Sequence, residues 1–336
     1  LGTTDEVTRI GGEYLRVVLL SFVLLNLMMV ASACLRGAGD SRTPMLATAG
    51  IAVVHGVAAT LLMFGAGEWA GLGPVGAAWA GALARGVGAA FLVALLVGGR
   101  RRLDLSGGSW RPDLALMRRL LQLGLPAAGE QIILSFGFLL YSAMVIPLGT
   151  AAFATQRITF TLMSLSFMPG MGYSMAATTM TGQGIGARRP DLARRASYIA
   201  LFQAGALMSA GGALFFFGGD WLMRFFSTDP DIIRLGADGL KVLAVCQPFW
   251  ALGQVMSGSL RGGGDTRYPM WVTMAGMWLL RLPLGWLFGI YWGGGLPGVY
   301  LSSIFDAGCR GLLNLRRFQK AAWLQMPSVA APARGA

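Results

Sequence analysis

The chain has 336 residues, of which 55% are hydrophobic and 12% are charged, and its formal net charge is +12. Soluble domains usually carry about 25% charged residues, so this composition excludes an ordinary soluble domain and indicates an integral membrane protein of many helices. The basic residues fall in short gaps between apolar segments, which is typical of cytoplasmic membrane loops and argues against a nucleic-acid-binding protein.

Nine apolar runs are long enough to cross a bilayer as helices, because a helix satisfies its own backbone hydrogen bonds in lipid. They are residues 14–34, 46–66, 74–97, 120–147, 158–182, 197–219, 239–259, 271–291 and 296–315. Arginine-rich gaps alternate with gaps that are poor in arginine or balanced by acids. The positive-inside rule therefore predicts an external first residue and a cytoplasmic C-terminus.

An eleven-residue stretch occurs twice between these runs. Residues 35–45 read Leu-Arg-Gly-Ala-Gly-Asp-Ser-Arg-Thr-Pro-Met, and residues 260–270 read Leu-Arg-Gly-Gly-Gly-Asp-Thr-Arg-Tyr-Pro-Met. Two apolar runs follow each copy, whereas one run precedes the first copy and four lie between the basic segment at 100–119 and the second. Internal similarity of this kind indicates two related halves.

We therefore predict an all-α integral membrane protein, a polytopic helical bundle of two pseudo-symmetric lobes. The expected divisions are a partial N-lobe of three helices at 1–99, a basic cytoplasmic inter-lobe loop at 100–119, a C-lobe of six helices at 120–320 and a cytoplasmic tail at 321–336. Since the second half has three more spans than the first, we expect three further N-terminal spans, and twelve in all, in the full-length protein.

The repeated stretch has the composition of a tight turn between two helices. Its glycines can adopt positive φ, its aspartate can cap the following helix, and its first arginine can pair with that aspartate or with lipid headgroups. The residues concerned are Arg36, Gly37, Gly39 and Asp40 in the first copy and Arg261, Gly262, Gly264 and Asp265 in the second. The stretch lacks the Lys-Ser/Thr of a phosphate-binding loop and follows no strand, so we interpret it as structural.

Glu130 is the clearest candidate for chemistry inside the membrane, because ionisable side chains at that depth are costly and usually functional. It lies with Gln131 in the fourth apolar run, shortly after Pro126, which cannot donate to the helix ladder and can leave a carbonyl free. A carboxylate, an amide and freed carbonyls suit protonation or cation coordination. The alternative is a glutamate at the membrane edge that pairs with Arg118 or Arg119.

A second set of ionisable residues lies in the last two runs. Asp306 and Arg310 are one helical turn apart, and Arg281 lies in the middle of the eighth run beside Pro283. An arginine at that depth should face an acid or a water-filled cavity, so we expect an Asp306–Arg281 pair between the two helices. Such a pair could be structural or could belong to a proton or ion pathway.

The fifth apolar run carries a stripe of methionines and aromatic residues, which form adaptable surfaces for apolar ligands. Amides elsewhere in the membrane segments, one of them beside a proline, could line the same cavity. The predicted substrate-cavity residues are Met163, Met168, Met171, Tyr141, Gln156 and Gln247. Ordinary helix packing is the alternative explanation of the stripe.

In combination, several motifs resemble those of the multidrug and toxic compound extrusion (MATE) transporters, in particular the bacterial members. They are the two Arg-Gly-x-Gly-Asp-Ser/Thr-Arg-x-Pro-Met loops, Gly-Leu-Pro-x-x-x-Glu-Gln at 124–131, Ser-Phe-Met-Pro-Gly-Met-Gly at 166–172, Gly-Gln-Gly-Ile-Gly-Ala at 182–187 and Arg-Leu-Pro-Leu at 281–284. The resemblance implies a two-lobed bundle in the bacterial inner membrane that expels amphipathic, often cationic drugs in exchange for H⁺ or Na⁺ by alternating access.

The resemblance also implies where the coupling ion binds. Glu130 matches the acid of the seventh family span, near the cation site of the C-lobe. The acid that many members carry in the tenth span has no counterpart, since residues 239–259 offer Gln247 and no carboxylate. We expect drugs and the lipid bilayer as partners, no nucleic acid, a monomer, and no cofactor or metal beyond the coupling ion.

Two other classes of protein are alternatives. A lipid-linked saccharide flippase of the same broad superfamily would carry more arginines inside the membrane, where they would hold pyrophosphate. An intramembrane enzyme that modifies lipids would need clustered acids, histidines or metal ligands, and the chain has one histidine. We therefore expect a transporter and not an enzyme.

Overall fold

The computed structural model describes residues 4–65, 70–98, 113–321 and 323, and within them it has nine long helices and no strand. The helices are α1 (Asp5–Gly37), α2 (Arg42–Phe64), α3 (Pro74–Val97), α4 (Leu114–Ala143), α5 (Thr150–Gly186), α6 (Pro190–Arg224), α7 (Pro230–Gly262), α8 (Arg267–Tyr291) and α9 (Gly295–Gln319). Each predicted run corresponds to one helix, and most helices extend beyond their run because polar first and last turns flank the apolar segment. The predicted all-α membrane fold is confirmed.

Six of these helices, α1, α2, α3, α4, α6 and α8, are long and apolar enough to cross a membrane. The other three are equally long but more polar, because they bury polar side chains against neighbouring helices. Examples are Thr155 and Thr159 on α5, Gln247 and Ser259 on α7, and Ser302 and Asp306 on α9. Composition by itself therefore identifies six of the nine predicted spans in the described part of the chain.

The chain forms two units, Leu1–Arg111 with α1 to α3 and Pro112–Ala336 with α4 to α9. Much of the predicted loop at 100–119 and nearly all of the predicted tail at 321–336 lie outside the described residues. The last part of that loop is helix instead, since α4 begins at Leu114. The Asp113 carboxylate caps it by accepting hydrogen bonds from the backbone amides of Ala115 and Leu116.

In the first unit, α3 packs against both α1 and α2. A small core of aliphatic side chains joins them, including Leu35 on α1, Ala47 on α2 and Leu92 on α3. Gly88 permits the close approach of α2 to α3, because a Cβ at that position would lie 2.2 Å from the Ile51 side chain.

In the second unit, α7 is the central helix and packs against α5, α6 and α9. Its buried face includes Leu240, Leu243, Met256 and Leu260, and Tyr300 of α9 lies in the same core. Helix α4 lies at the side of this group and packs mainly against α8. The order of packing therefore brings α4, α8 and the end of α7 into one region.

Helix α8 is not a regular α-helix. Two π-helical segments, Gly276–Arg281 and Leu287–Tyr291, flank a short α-helical turn that contains Pro283. Proline cannot donate to the helix ladder, and π-helical turns rotate the side chains that follow them. Arg281 lies at the end of the first π-helical segment, and a Cβ at Gly276 would lie 2.4 Å from Asp306 Oδ1 of α9.

Candidate functional site

Both copies of the repeated stretch form the predicted turn. Gly39 and Gly264 have φ of 89° and 87°, a conformation that glycine adopts without strain. Asp40 Oδ1 accepts a hydrogen bond from the Thr43 amide at 3.0 Å, and Asp265 Oδ1 accepts one from the Tyr268 amide at 3.3 Å. The predicted positive φ and capping are thus confirmed, while Gly37 and Gly262 are the last residues of α1 and α7.

The pairing of the second copy differs from the prediction that its arginine contacts its aspartate. Asp265 Oδ2 accepts a hydrogen bond from Arg317 Nε of α9 at 2.9 Å. Asp265 is buried, and the Arg317 guanidinium also lies 5.0 Å from the centre of the Tyr268 ring. Arg317 thereby neutralises the loop carboxylate, whereas Arg261 contacts a different acid.

That other acid is Glu130. Arg261 Nη2 lies 2.8 Å from Glu130 Oε1 and 2.7 Å from Oε2, so one nitrogen bridges both carboxylate oxygens. The predicted alternative partners of Glu130, Arg118 and Arg119, are therefore replaced by an arginine from the end of α7. Arg261, interpreted above as a structural loop residue, thus also contacts the candidate coupling acid.

A hydroxyl from α8 completes the contacts of the carboxylate. Thr273 Oγ1 donates to Glu130 Oε1 at 2.9 Å. Thr273 lies six residues after the start of α8, about 9 Å of helix rise, so the site lies near the end of the unit where α7 ends and α8 begins. Helix α4 is unbroken across Pro126, and the Gln131 side chain is exposed.

The second set of ionisable residues forms a buried cluster between α8 and α9. Asp306 Oδ2 lies 2.8 Å from Arg310 Nη2 and 3.7 Å from Arg281 Nη1, so both predicted pairs are present. The Arg281 side chain is 2% exposed and its guanidinium lies over the rings of Tyr141 and Phe138, at 4.6 Å and 5.0 Å from their centres. The faces of these two rings stabilise the positive charge of Arg281, which has to share the Asp306 carboxylate with Arg310.

The predicted cavity residues lie in two environments. Tyr141, Gln156, Gln247 and Met163 are buried among the helices of the second unit. Tyr141 donates a hydrogen bond from its hydroxyl to the Val299 carbonyl at 3.0 Å. Met168 and Met171, in contrast, are 64% and 60% exposed on α5, so they form part of a surface.

Sequence reasoning missed two contributors to the Glu130 site, the hydroxyl of Thr273 and the pairing by Arg261. Thr273 gives no signal, since threonine is common in membrane helices. Arg261 had one usable signal: it lies between the apolar run at 239–259 and the glycines of the loop, so its long side chain can reach either lipid headgroups or an internal acid.

The first unit holds a simpler polar contact. Arg85 Nη1 of α3 donates to Ser21 Oγ of α1 at 2.6 Å. No group of three or more histidine, cysteine, aspartate or glutamate side chains that could hold a metal ion occurs among the described residues. The ionisable candidates for transport chemistry therefore lie mainly around Glu130 and Asp306.

The chain is similar to known proteins over most of its length. The family model named MatE matches residues 1–61 and 126–287. The probable multidrug resistance protein NorM of Thermotoga maritima is 32% identical over 323 residues, which are 95% of this chain and 68% of that protein. The uncharacterized transporter YisQ of Bacillus subtilis is 28% identical over 329 residues, 97% of this chain and 71% of that protein.

Solved structures share the fold. A multidrug resistance MATE family transporter in an outward-facing conformation superposes with a TM-score of 0.88 at 22% identity, over 96% of this chain and 72% of that one. A MOP superfamily transporter from Pyrococcus furiosus superposes with a TM-score of 0.89 at the same identity and coverage. The chain is thus a multi-pass transporter of the inner membrane and not an enzyme, and it belongs to the MATE family of efflux transporters.

Proposed function

We propose that the protein exports amphipathic, cationic small molecules in exchange for H⁺ or Na⁺, and that Glu130 is the carboxylate to which the coupling cation binds. The observation that carries this proposal is a buried acid, 7% exposed, on a helix that is apolar enough to span the membrane. Ionisable residues in such positions are retained at a cost in stability, which function offsets. The relatives' names, which refer to multidrug resistance, support the substrate class.

Three carboxylates are buried in the described part of the chain, and they differ in what surrounds them. Asp265 lies in the loop and is paired with Arg317. Asp306 is shared by two arginines, so an added cation would raise an existing excess of positive charge. Glu130 has one counter-charge and, unlike Asp265, lies on a helix that is apolar enough to span the membrane, which makes it the acid best suited to exchange one cation for another.

A carboxylate that holds one positive charge at a time gives a simple coupling rule. A state that binds the inward-moving cation at Glu130 binds a cationic drug nearby less well, and the reverse holds with equal strength because binding energies are reciprocally linked. Exposed methionines such as Met168 and Met171 supply apolar contact without strict shape selection. This combination favours exchange of varied amphipathic cations.

The test is transport by the purified protein in proteoliposomes with a fluorescent cationic dye. A pH gradient or a Na⁺ gradient is imposed separately, and dye movement is recorded. We expect one of the two gradients to drive dye against its own gradient. Dye movement that ignores both gradients would contradict antiport.

A further inference from the structure

We propose that Arg261 is an internal competitor for the coupling cation: its guanidinium occupies Glu130 in the unloaded state, and H⁺ or Na⁺ binds by displacing it. This inference rests on the proposed role of Glu130. It adds that affinity for the coupling cation is set by a residue of the repeated loop, so Arg261 is a specificity-determining residue and not only a structural one.

The hydrogen bonds leave no carboxylate oxygen free of Arg261. Its Nη2 donates to both oxygens, and Thr273 donates to Oε1 as well. A proton on Oε2 would face the N–H donor at 2.7 Å, and a metal cation would face a guanidinium of the same charge. Either cation can therefore bind fully only when the guanidinium has moved.

Burial indicates the direction in which it moves. The Arg261 side chain is 36% exposed, whereas that of Glu130 is 7% exposed, so the arginine reaches the surface of the unit and the acid does not. Leaving Glu130 takes the Arg261 side chain toward the surface of the unit and away from the buried acid. Arg281, which pairs with Asp306, is only 2% exposed. Displacing it from Asp306 would therefore leave a buried positive charge without its partner.

The backbone on both sides of Arg261 packs closely on α5, which favours a motion of its side chain over one of the helix. A Cβ at Gly258 would lie 2.4 Å from the Ser174 carbonyl oxygen, and a Cβ at Gly262 would lie 2.2 Å from the Thr178 carbonyl oxygen. Thr178 Oγ1 also donates to the Gly258 carbonyl at 2.8 Å. Residues on both sides of Arg261 are thus packed directly on α5.

The guanidinium of Arg261 is held mainly by its hydrogen bonds to the Glu130 carboxylate. Among the described residues Nε of Arg261 has no hydrogen-bond partner, and the bonds that its guanidinium makes are those from Nη2 to Glu130. Within the same residues, Arg261 of α7 is the titratable group that contacts Glu130, and α8 contributes the neutral hydroxyl of Thr273. Cation binding would therefore break the Arg261–Glu130 ion pair that links α7 to α4.

The test compares the cation dependence of transport in Arg261→Gln with that of the native protein. We expect Arg261→Gln to reach half-maximal drug transport at about tenfold lower concentration of the coupling cation, H⁺ or Na⁺, equivalent to about 1.4 kcal/mol. Arg261→Lys keeps the charge but loses the bridging geometry, so its half-maximal concentration should fall between the two. An unchanged value in both variants would overturn the proposal.

Arg317→Gln is the matched control, because Arg317 is 31% exposed, pairs with a buried acid at 2.9 Å and does not contact Glu130. Its half-maximal cation concentration should equal the native value, and a shift as large as that of Arg261→Gln would mean that loss of any arginine paired with a buried acid is sufficient. Glu130→Gln separates the two proposals. Coupled transport that survives this change would remove the proposed function itself, whereas a null result for Arg261→Gln with loss in Glu130→Gln would overturn the competitor alone.

Discussion

Arg261 and Glu130 lie 131 residues apart in the chain, yet a single guanidinium nitrogen bridges both oxygens of the carboxylate at 2.8 Å and 2.7 Å. The contact links the end of α7 to α4, a helix that otherwise packs mainly against α8. The last turn of α7, which leads into the tight turn of the repeat, therefore contributes a side chain to the site that we propose for ion coupling.

The two copies of the repeat should differ in their tolerance of an added methyl group. In Gly262→Ala the new Cβ would collide with the Thr178 carbonyl, so we expect the free energy of unfolding to fall by about 1–3 kcal/mol. At Gly37, the matching position, no described neighbour lies within 4 Å of a Cβ. Gly37→Ala should therefore change stability by less than about 1 kcal/mol. Thermal unfolding in detergent measures both, and equal losses would contradict the packing of α7 on α5.

Asp306 should be critical for stability because it is the counter-charge of two arginines. Asp306→Asn leaves the buried guanidinium of Arg281 uncompensated, and we expect a loss of about 3–5 kcal/mol. The control is Asp238→Asn, which breaks the exposed pair with Lys241 and should cost less than about 1 kcal/mol. Similar melting temperatures for the two variants would show that the cluster is not a buried ion pair in the membrane protein.

Replacing Gln247 by leucine should have the opposite effect on stability. It is fully buried on α7, and neither end of its amide has a partner among the described residues. Gln247→Leu keeps a similar volume and removes the unsatisfied groups, so stability should stay equal or rise by about 1–2 kcal/mol. Gln247→Ala is the control that should lower stability by opening a cavity. A lower melting temperature for Gln247→Leu would mean that the amide has partners after all.

Much of the fold could be predicted because it depends on local sequence. An apolar run of about 20 residues favours a helix in lipid, and each of the nine predicted runs lies on a helix, although six of the described helices are apolar enough by composition to cross a membrane. The Asp306–Arg310 contact follows from their spacing on one helix, and the turn at Gly264 follows from its need for positive φ.

The candidate site was less predictable because it depends on which helices are neighbours. Glu130 itself stood out as an acid in an apolar run, but the partners that the sequence suggested for it, Arg118 or Arg119, lie about three turns away on the same helix. Arg261 and Arg36 occupy equivalent positions in nearly identical motifs, so the motif by itself cannot show that Arg261 reaches Glu130. That information lies in the packing of α4 and α8 beside the end of α7.

The most direct test of the account is the cation flux that a drug gradient evokes in proteoliposomes containing Glu130→Gln. The glutamine can still accept hydrogen bonds from Thr273 and Arg261, so the variant should fold. Asp265→Asn, a change at another buried acid paired with one arginine, is the control and should retain the flux. We expect the native protein to exchange drug for H⁺ or Na⁺ and Glu130→Gln to show no such exchange at an equal amount of folded protein. Undiminished drug-driven cation flux in Glu130→Gln would contradict the proposal that the coupling cation binds to Glu130.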